Sequence, residues 1–123
     1  MSTYMQFKKS VSKTAAYALK NNDHDIAFDN VGAGAGVTFT LPPIADVWDG
    51  WSALFMAVAD FAITVTAPAG KLVAFNNAAC ASIAFSTAGE IIGSGVAIRY
   101  SSTAAKYIAM PILGSETATP TIS

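Results

Sequence analysis

The sequence has little of the chemistry on which enzymes and metalloproteins depend. Its 123 residues include one cysteine, Cys80, and one histidine, His24. A lone cysteine forms no intrachain disulfide, and a transition-metal site or a Cys–His nucleophile needs more partners than these two residues supply. We therefore expect no enzymatic activity, no cofactor and no metal. We predict a buried thiol for Cys80 and a solvated loop position for His24.

Charged residues are also scarce, and they are unevenly distributed. They make up 12% of the chain, about half the ~25% of an ordinary domain, while apolar residues reach 53%. A monomer with so few charges exposes broad apolar patches, so we expect a homo-oligomer or a subunit of a larger assembly. Residues 1–20 hold four lysines and no acid, whereas residues 21–70 hold six aspartates and no base. This division is consistent both with docking of a basic arm onto an acidic partner or a neighbouring copy and with a frayed, solvated terminus. Four lysines without interleaved aromatics do not indicate nucleic-acid binding.

Long hydrophobic runs and helical periodicity are absent. The longest apolar stretch, residues 51–69, is broken by Asp60 and Pro68 and reads as two strands joined by a turn, so we expect no membrane partner. The N-terminus has no apolar segment typical of a signal peptide.

Short alternating segments separated by turn residues make up most of the chain. The clearest begins after Gly32, Gly34 and Gly36, where Val37, Phe39 and Leu41 alternate with threonines until two prolines end the strand. The glycines have no lysine or helix to make a phosphate loop, so we expect them to supply positive φ and close backbone approach. The pattern predicts a single antiparallel β-sandwich or jelly-roll-like domain of about eight short strands. We place a basic N-terminal arm at residues 1–15, the β-domain at 16–113 and a flexible C-terminal tail at 114–123.

Two polar clusters are candidate binding sites. Asp23, Asp25 and Asp29 offer oxygens to a hard cation, but the glycine and terminal glutamate of an EF-hand are missing, which favours an ordinary hairpin loop. The second cluster pairs carboxylates with tryptophans, as a glycan-binding platform does, and its candidate residues are Trp48, Asp46 and Asp49, with Trp51 just beyond. Tryptophans beside a strand are more often core or interface anchors.

The run from Tyr17 to Thr66 resembles a pattern found in bacteriophage virion surface proteins, a group that includes head-decoration proteins, head fibres and tail-fibre modules. The pattern is an apolar-aromatic position, an Asn-x-Gly-Ala-x-Gly turn, a Val-Thr-Phe-Thr-Leu-Pro strand, an aromatic strand and an Ile-Thr-Val-Thr-Ala strand. Here these are residues 26–28, 30–36, 37–42, 50–57 and 63–67. The later half matches more loosely, since Tyr107 stands where the family usually has tryptophan.

This resemblance implies a structural protein of the virion, assembled in the host cytoplasm and commonly trimeric. We expect a capsid decoration (cement) protein whose partner is the major capsid protein or another virion protein. The alternatives are a head- or tail-fibre module that binds a receptor or glycan, and a tail-tube or connector subunit. For capsid docking we predict residues of the arm, namely Phe7, Lys8, Lys9, Val11 and Lys13. For the core or a subunit interface we predict Trp51, Phe55, Phe61 and Ile63.

Overall fold

The structure is a computed structural model that describes residues 7–115 and 120–123. These residues form an all-β fold, as the sequence predicts, with two single-turn 3₁₀ helices at Asn21–Asp23 and Ile44–Asp46. The described strands are β1 (Lys9–Ser12), β2 (Tyr17–Ala18), β3 (Ile26–Asp29), β4 (Val37–Thr40), β5 (Ser52–Met56), β6 (Ile63–Thr66), β7 (Leu72–Ala74), β8 (Asn77–Cys80), β9 (Ser82–Phe85), β10 (Gly95–Ser101), β11 (Lys106–Ile112) and β12 (Thr121–Ile122).

The strands lie in two sheets that share one core. The seven-stranded sheet has the order β1-β3-β5-β10-β11-β7-β8, and the five-stranded sheet has the order β12-β9-β6-β4-β2. Both sheets are mixed, so the predicted purely antiparallel arrangement is wrong. The chain crosses to the other sheet after each of its first six strands. Consequently β1, β3 and β5 pair in parallel in one sheet, and β2, β4 and β6 pair in parallel in the other.

The core forms where the inward-facing side chains of the two sheets meet. Val37, Phe39 and Leu41 are buried while the threonines between them are exposed, which confirms the predicted alternation. Phe28 and Phe55 stack within one sheet with ring centroids 5.5 Å apart, and Phe39 of the other sheet lies 4.9 Å from Phe55. Full burial of each phenylalanine contributes about 1.5–3 kcal/mol, so this cluster holds the sheets together.

A second aromatic cluster lies at the end of the core where β5 and β11 begin. Trp51 is fully buried, and its indole Nε1 donates a hydrogen bond to the Asn21 carbonyl at 2.9 Å. Tyr107 packs edge-on against Trp51, and its hydroxyl donates to the Pro42 carbonyl at 2.6 Å. Burial raises the pKa of Tyr107 above its usual value. The tyrosine therefore fills the interior and ties β11 to the proline end of β4.

The strands extend beyond the domain limits that the sequence predicts. β1 lies inside the predicted arm and pairs with β3, so residues 9–12 are an edge strand of the seven-stranded sheet. β12 lies inside the predicted flexible tail and pairs with β9. Both strands are short and carry few apolar residues, which leaves no alternation to detect.

Candidate functional site

One end of the two-sheet domain carries exposed apolar side chains. β3 and β5 end there, β10 begins there and β11 ends there, because β10 runs antiparallel to both β5 and β11. The loops at this end place large apolar residues in solvent with 39–56% of each side chain exposed, and these residues are Val31, Val58, Phe61, Ile92 and Leu113. We call this surface the apolar end. Clustered exposed apolar residues mark an interaction surface better than isolated ones do.

The loops of the apolar end are held by Asn30, which is fully buried. Its Oδ1 accepts hydrogen bonds from the N–H groups of Val58 at 2.7 Å and Ala59 at 2.9 Å. Its Nδ2 donates to the carbonyl oxygens of Ala59 at 3.2 Å and Phe61 at 3.3 Å. One side chain thus satisfies four backbone groups of the loop between β5 and β6, and it fixes the loop that presents Val58 and Phe61.

Ser94 plays a corresponding part at the β10 and β11 side of this end. It is fully buried, its hydroxyl donates to the Glu90 carbonyl at 3.0 Å, and the same oxygen accepts from the Gly114 N–H at 2.8 Å. A Cβ at Gly114 would lie 2.6 Å from the Ile92 carbonyl oxygen, so the backbones here pack too closely for any side chain. The bonds to Ser94 fix the loops that carry Ile92 and Leu113.

A groove of about 370 Å³ lies on the outer face of the seven-stranded sheet. Its floor includes the small residues Ser52 of β5 and Ala97 of β10. Larger apolar side chains rise around this floor, and they are Phe7, Ile108 and Met110. Met110 is 64% exposed, which makes it the most exposed large apolar residue of the described chain. We call this surface the outer-face groove.

Arg99 supplies the charge at the groove. It lies between Ser52 and Ile108 in the strand register, and its side chain is exposed. The guanidinium makes no hydrogen bond or ion pair within 4.0 Å to any other residue that the structure describes, although its charge helps to lower the pKa of Asp49. The groove therefore combines an apolar surface with an exposed cation.

The predicted capsid-docking residues divide into two groups. Lys8 and Lys9 are exposed at the open edge of the seven-stranded sheet, where a partner can reach them. In contrast, Val11 packs against the core, and the Lys13 ammonium lies 3.9 Å above the Tyr17 ring. Phe7 lines the outer-face groove. The segment is part of the fold, and of these four residues Lys8 and Lys9 face solvent while Val11 and Lys13 pack within the domain.

The predicted core or interface residues also divide. Trp51, Phe55 and Ile63 are at most 1% exposed and belong to the core. Phe61 is 39% exposed and belongs to the apolar end. Three of the four residues are therefore packing residues, and one is available to a partner.

The candidate glycan platform is only partly assembled. Trp48 is 47% exposed and packs edge-on against His24, with ring centroids 5.3 Å apart. Asp46 is exposed nearby in sequence, whereas the Asp49 carboxylate accepts hydrogen bonds from the Ser102 N–H at 2.8 Å and hydroxyl at 3.1 Å. These bonds lower the pKa of Asp49. Trp48 is thus left as the exposed ring of the platform, because Trp51 is buried.

His24 is not the solvated loop histidine that the sequence predicts. Its side chain is 26% exposed, and Nδ1 accepts a hydrogen bond from the Ser52 N–H at 3.1 Å. The ring therefore joins the loop before β3 to the start of β5. No sequence pattern signals a contact between residues 28 positions apart.

The aspartates of the other polar cluster each make a separate hydrogen bond. Asp23 accepts from the Tyr17 hydroxyl at 2.8 Å, Asp25 from the Ser52 hydroxyl at 3.1 Å, and Asp29 from the Val31 N–H at 3.1 Å. Within residues 7–115 and 120–123, no three potential metal ligands come together.

The remaining sequence predictions concern Cys80 and the glycine turn. Cys80 is buried as predicted, its thiol donates to the Leu72 carbonyl at 3.1 Å, and burial raises its pKa. Of the three glycines before β4, Gly32 has a positive φ of 82°, while Gly34 and Gly36 do not, so the prediction holds for one residue.

Comparison of the sequence with protein-family models gives no match, and a search of curated proteins gives none either. In the part of the chain that the structure describes, no helix has the length and apolarity needed to span a membrane. The fold and its surfaces define an all-β domain of two mixed sheets with an exposed, internally braced apolar end.

Proposed function

We propose that this chain is a structural protein that decorates and stabilises a bacteriophage capsid. The observation that carries the proposal is the apolar end, where five large apolar side chains are exposed on loops that Asn30 and Ser94 hold in place. Loops that are already ordered lose less conformational entropy on binding. A surface of this kind suits a subunit that works inside an assembly.

Composition and sequence pattern support the same proposal. Only 12% of the residues are charged, which is low for a domain whose whole surface faces water. Part of the run that resembles phage surface proteins, residues 30–36, forms the loop between β3 and β4 at the apolar end. The resemblance and the exposed surface therefore share this loop, which contributes Asn30 and Val31 to the apolar end.

We assign attachment to the capsid to the open edge of β1. The edge of a sheet presents backbone groups that another chain can pair with, and exposed lysines on the edge limit that pairing to suitable partners. Because Lys8 and Lys9 are positively charged, their binding partner should be an acidic segment of the capsid protein. A protein that binds only the assembled lattice stabilises it by mass action, by about 2.7 kcal/mol per site at one hundred times the dissociation constant.

Co-sedimentation with capsids that lack the protein tests this assignment. The wild-type chain should pellet with the capsids and raise the temperature at which they open. The double variant Lys8→Glu, Lys9→Glu should bind weakly, while Lys71→Glu, which reverses a charge away from β1, should bind like the wild type. Capsid binding that is equal in all three chains would overturn the role of the β1 edge. Failure of the wild-type chain to bind would overturn decoration itself.

A glycan-binding fibre module is the second candidate, because Trp48 is exposed beside His24. An exposed indole ring is a surface on which a sugar ring can stack. A glycan array would separate the two functions. Specific binding that disappears in Trp48→Ala would favour the fibre module, and an empty array would favour decoration.

A further inference from the structure

The outer-face groove and the apolar end are complementary surfaces of the same molecule. We propose that the apolar end of one copy binds the outer-face groove of a second copy, with Asp60 of the first next to Arg99 of the second. This inference deepens the oligomeric part of the proposed function, but it does not depend on what the oligomer decorates.

The shapes of the two surfaces agree. The groove has a floor that includes the small residues Ser52 and Ala97, and larger apolar side chains line it. The tip of the loop between β5 and β6 projects two apolar side chains, Val58 at 52% and Phe61 at 39% exposure. Asn30 fixes this tip by four hydrogen bonds, so insertion requires little rearrangement.

The charges agree as well. Asp60 is exposed between Val58 and Phe61, and its carboxylate makes no hydrogen bond or ion pair with the rest of the described chain. Arg99 is the one ionisable side chain among the described residues that line the groove. Opposite charges beside apolar contacts select the partner and fix its orientation. Neither charge has a hydrogen-bond or ion-pair partner among the described residues, although Arg99 is close enough to Asp49 to help lower the pKa of that carboxylate.

The two surfaces lie on different sides of the molecule, one at an end and one on a sheet face. A contact between different surfaces is heterologous, and it gives a closed ring when the rotation between copies closes. A ring of three needs a rotation of about 120° at each contact. The proposal therefore gives the expected trimer a specific interface.

The test reverses the charges of Asp60 and Arg99, singly and together. Sedimentation velocity and light scattering on the purified chain measure the self-association of each variant. Wild type should form a small closed oligomer. Arg99→Glu and Asp60→Arg should each weaken association by about 5- to 30-fold, since each turns an attraction into a repulsion. The double variant Arg99→Glu, Asp60→Arg should recover most of the wild-type association. Asp46→Lys, a reversal in the connection between β4 and β5 and outside the groove lining, should leave association unchanged.

Because both residues are exposed, the variants should keep their fold, and circular dichroism melting checks that they do. A second measurement uses Phe61→Ser, which should also produce monomers without lowering the melting temperature of the monomer. A wild-type chain that is monomeric at high concentration, or a double variant that fails to recover association, would overturn the inference. Capsid binding by such a monomer would leave the decoration function standing.

Discussion

Replacement of Asn30 is the sharpest test of how the apolar end is built. Asn30 is fully buried and makes four hydrogen bonds to the backbone of residues 58–61. Each such bond contributes about 0.5–1.5 kcal/mol, so the four together contribute about 2–6 kcal/mol. The loop is at the surface, and part of its backbone can be hydrated once the bonds are lost. We expect Asn30→Ala to lower the free energy of unfolding by about 3–5 kcal/mol, which corresponds to a fall of about 10–20 °C in melting temperature.

Asn30→Asp separates hydrogen bonding from packing because it keeps the shape of the side chain. One oxygen still accepts from Val58 and Ala59, but the other faces the carbonyl oxygens of Ala59 and Phe61 and has no proton to donate. The variant should be as unstable as Asn30→Ala near pH 7. It should recover partly below about pH 5, where protonation of the new carboxyl supplies one donor.

Urea unfolding followed by tryptophan fluorescence measures these differences. Asn22→Ala is the control, since Asn22 is exposed and should change the free energy of unfolding by less than about 0.5 kcal/mol. A loss below about 1 kcal/mol for Asn30→Ala would refute the view that this side chain holds the loop.

Three further predictions concern single positions. A Cβ at Gly95 would overlap the backbone of the neighbouring strand, so Gly95→Ala should prevent folding or lower the free energy of unfolding by more than about 4 kcal/mol. Gly34 lies in open space, so the control Gly34→Ala should change the stability measured in thermal melts by less than about 1 kcal/mol. Tyr107→Phe leaves the Pro42 carbonyl without its donor and should lower the free energy of unfolding by about 1–3 kcal/mol. Because folding raises the pKa of Tyr107, the stability of the wild type should fall as the pH rises above about 10, and this fall should be smaller in the variant. Phe75 is 50% exposed and has a φ of 44°, a turn conformation that asparagine adopts more readily than phenylalanine. Phe75→Asn should therefore raise the free energy of unfolding by about 0.5–1 kcal/mol. An unchanged or lower free energy of unfolding in urea would show that the turn is not strained.

The strands that the sequence predicts are those with a strong alternation. Val37 to Leu41 is an example, because every second side chain enters the core and the threonines between them face water. Pairing direction leaves no such trace, since a parallel and an antiparallel strand bury the same alternate residues. The crossing of the chain between sheets after each early strand, and hence the mixed sheets, could not be predicted for that reason. The sequence does not predict the edge strands β1 and β12, because these strands are held by pairing with β3 and β9 more than by buried side chains.

The candidate surfaces were predictable to a smaller degree. Residue type alone indicates the exposed Lys8 and Lys9 and the exposed Trp48 as candidates. Asn30 looked like an ordinary turn residue, because its four partners lie 28 to 31 positions away along the chain. Arg99 and Asp60 belong to no sequence motif, and only the fold shows that each is exposed beside apolar side chains.

The copy number of the chain in purified virions tests the decoration function most directly. Quantitative mass spectrometry of intact particles should find the chain in a fixed ratio to the major capsid protein. Deletion of its gene should give particles that lack the chain and have less stable capsids. A few copies per particle, found with the tail after heads and tails are separated, would contradict decoration and favour the fibre module.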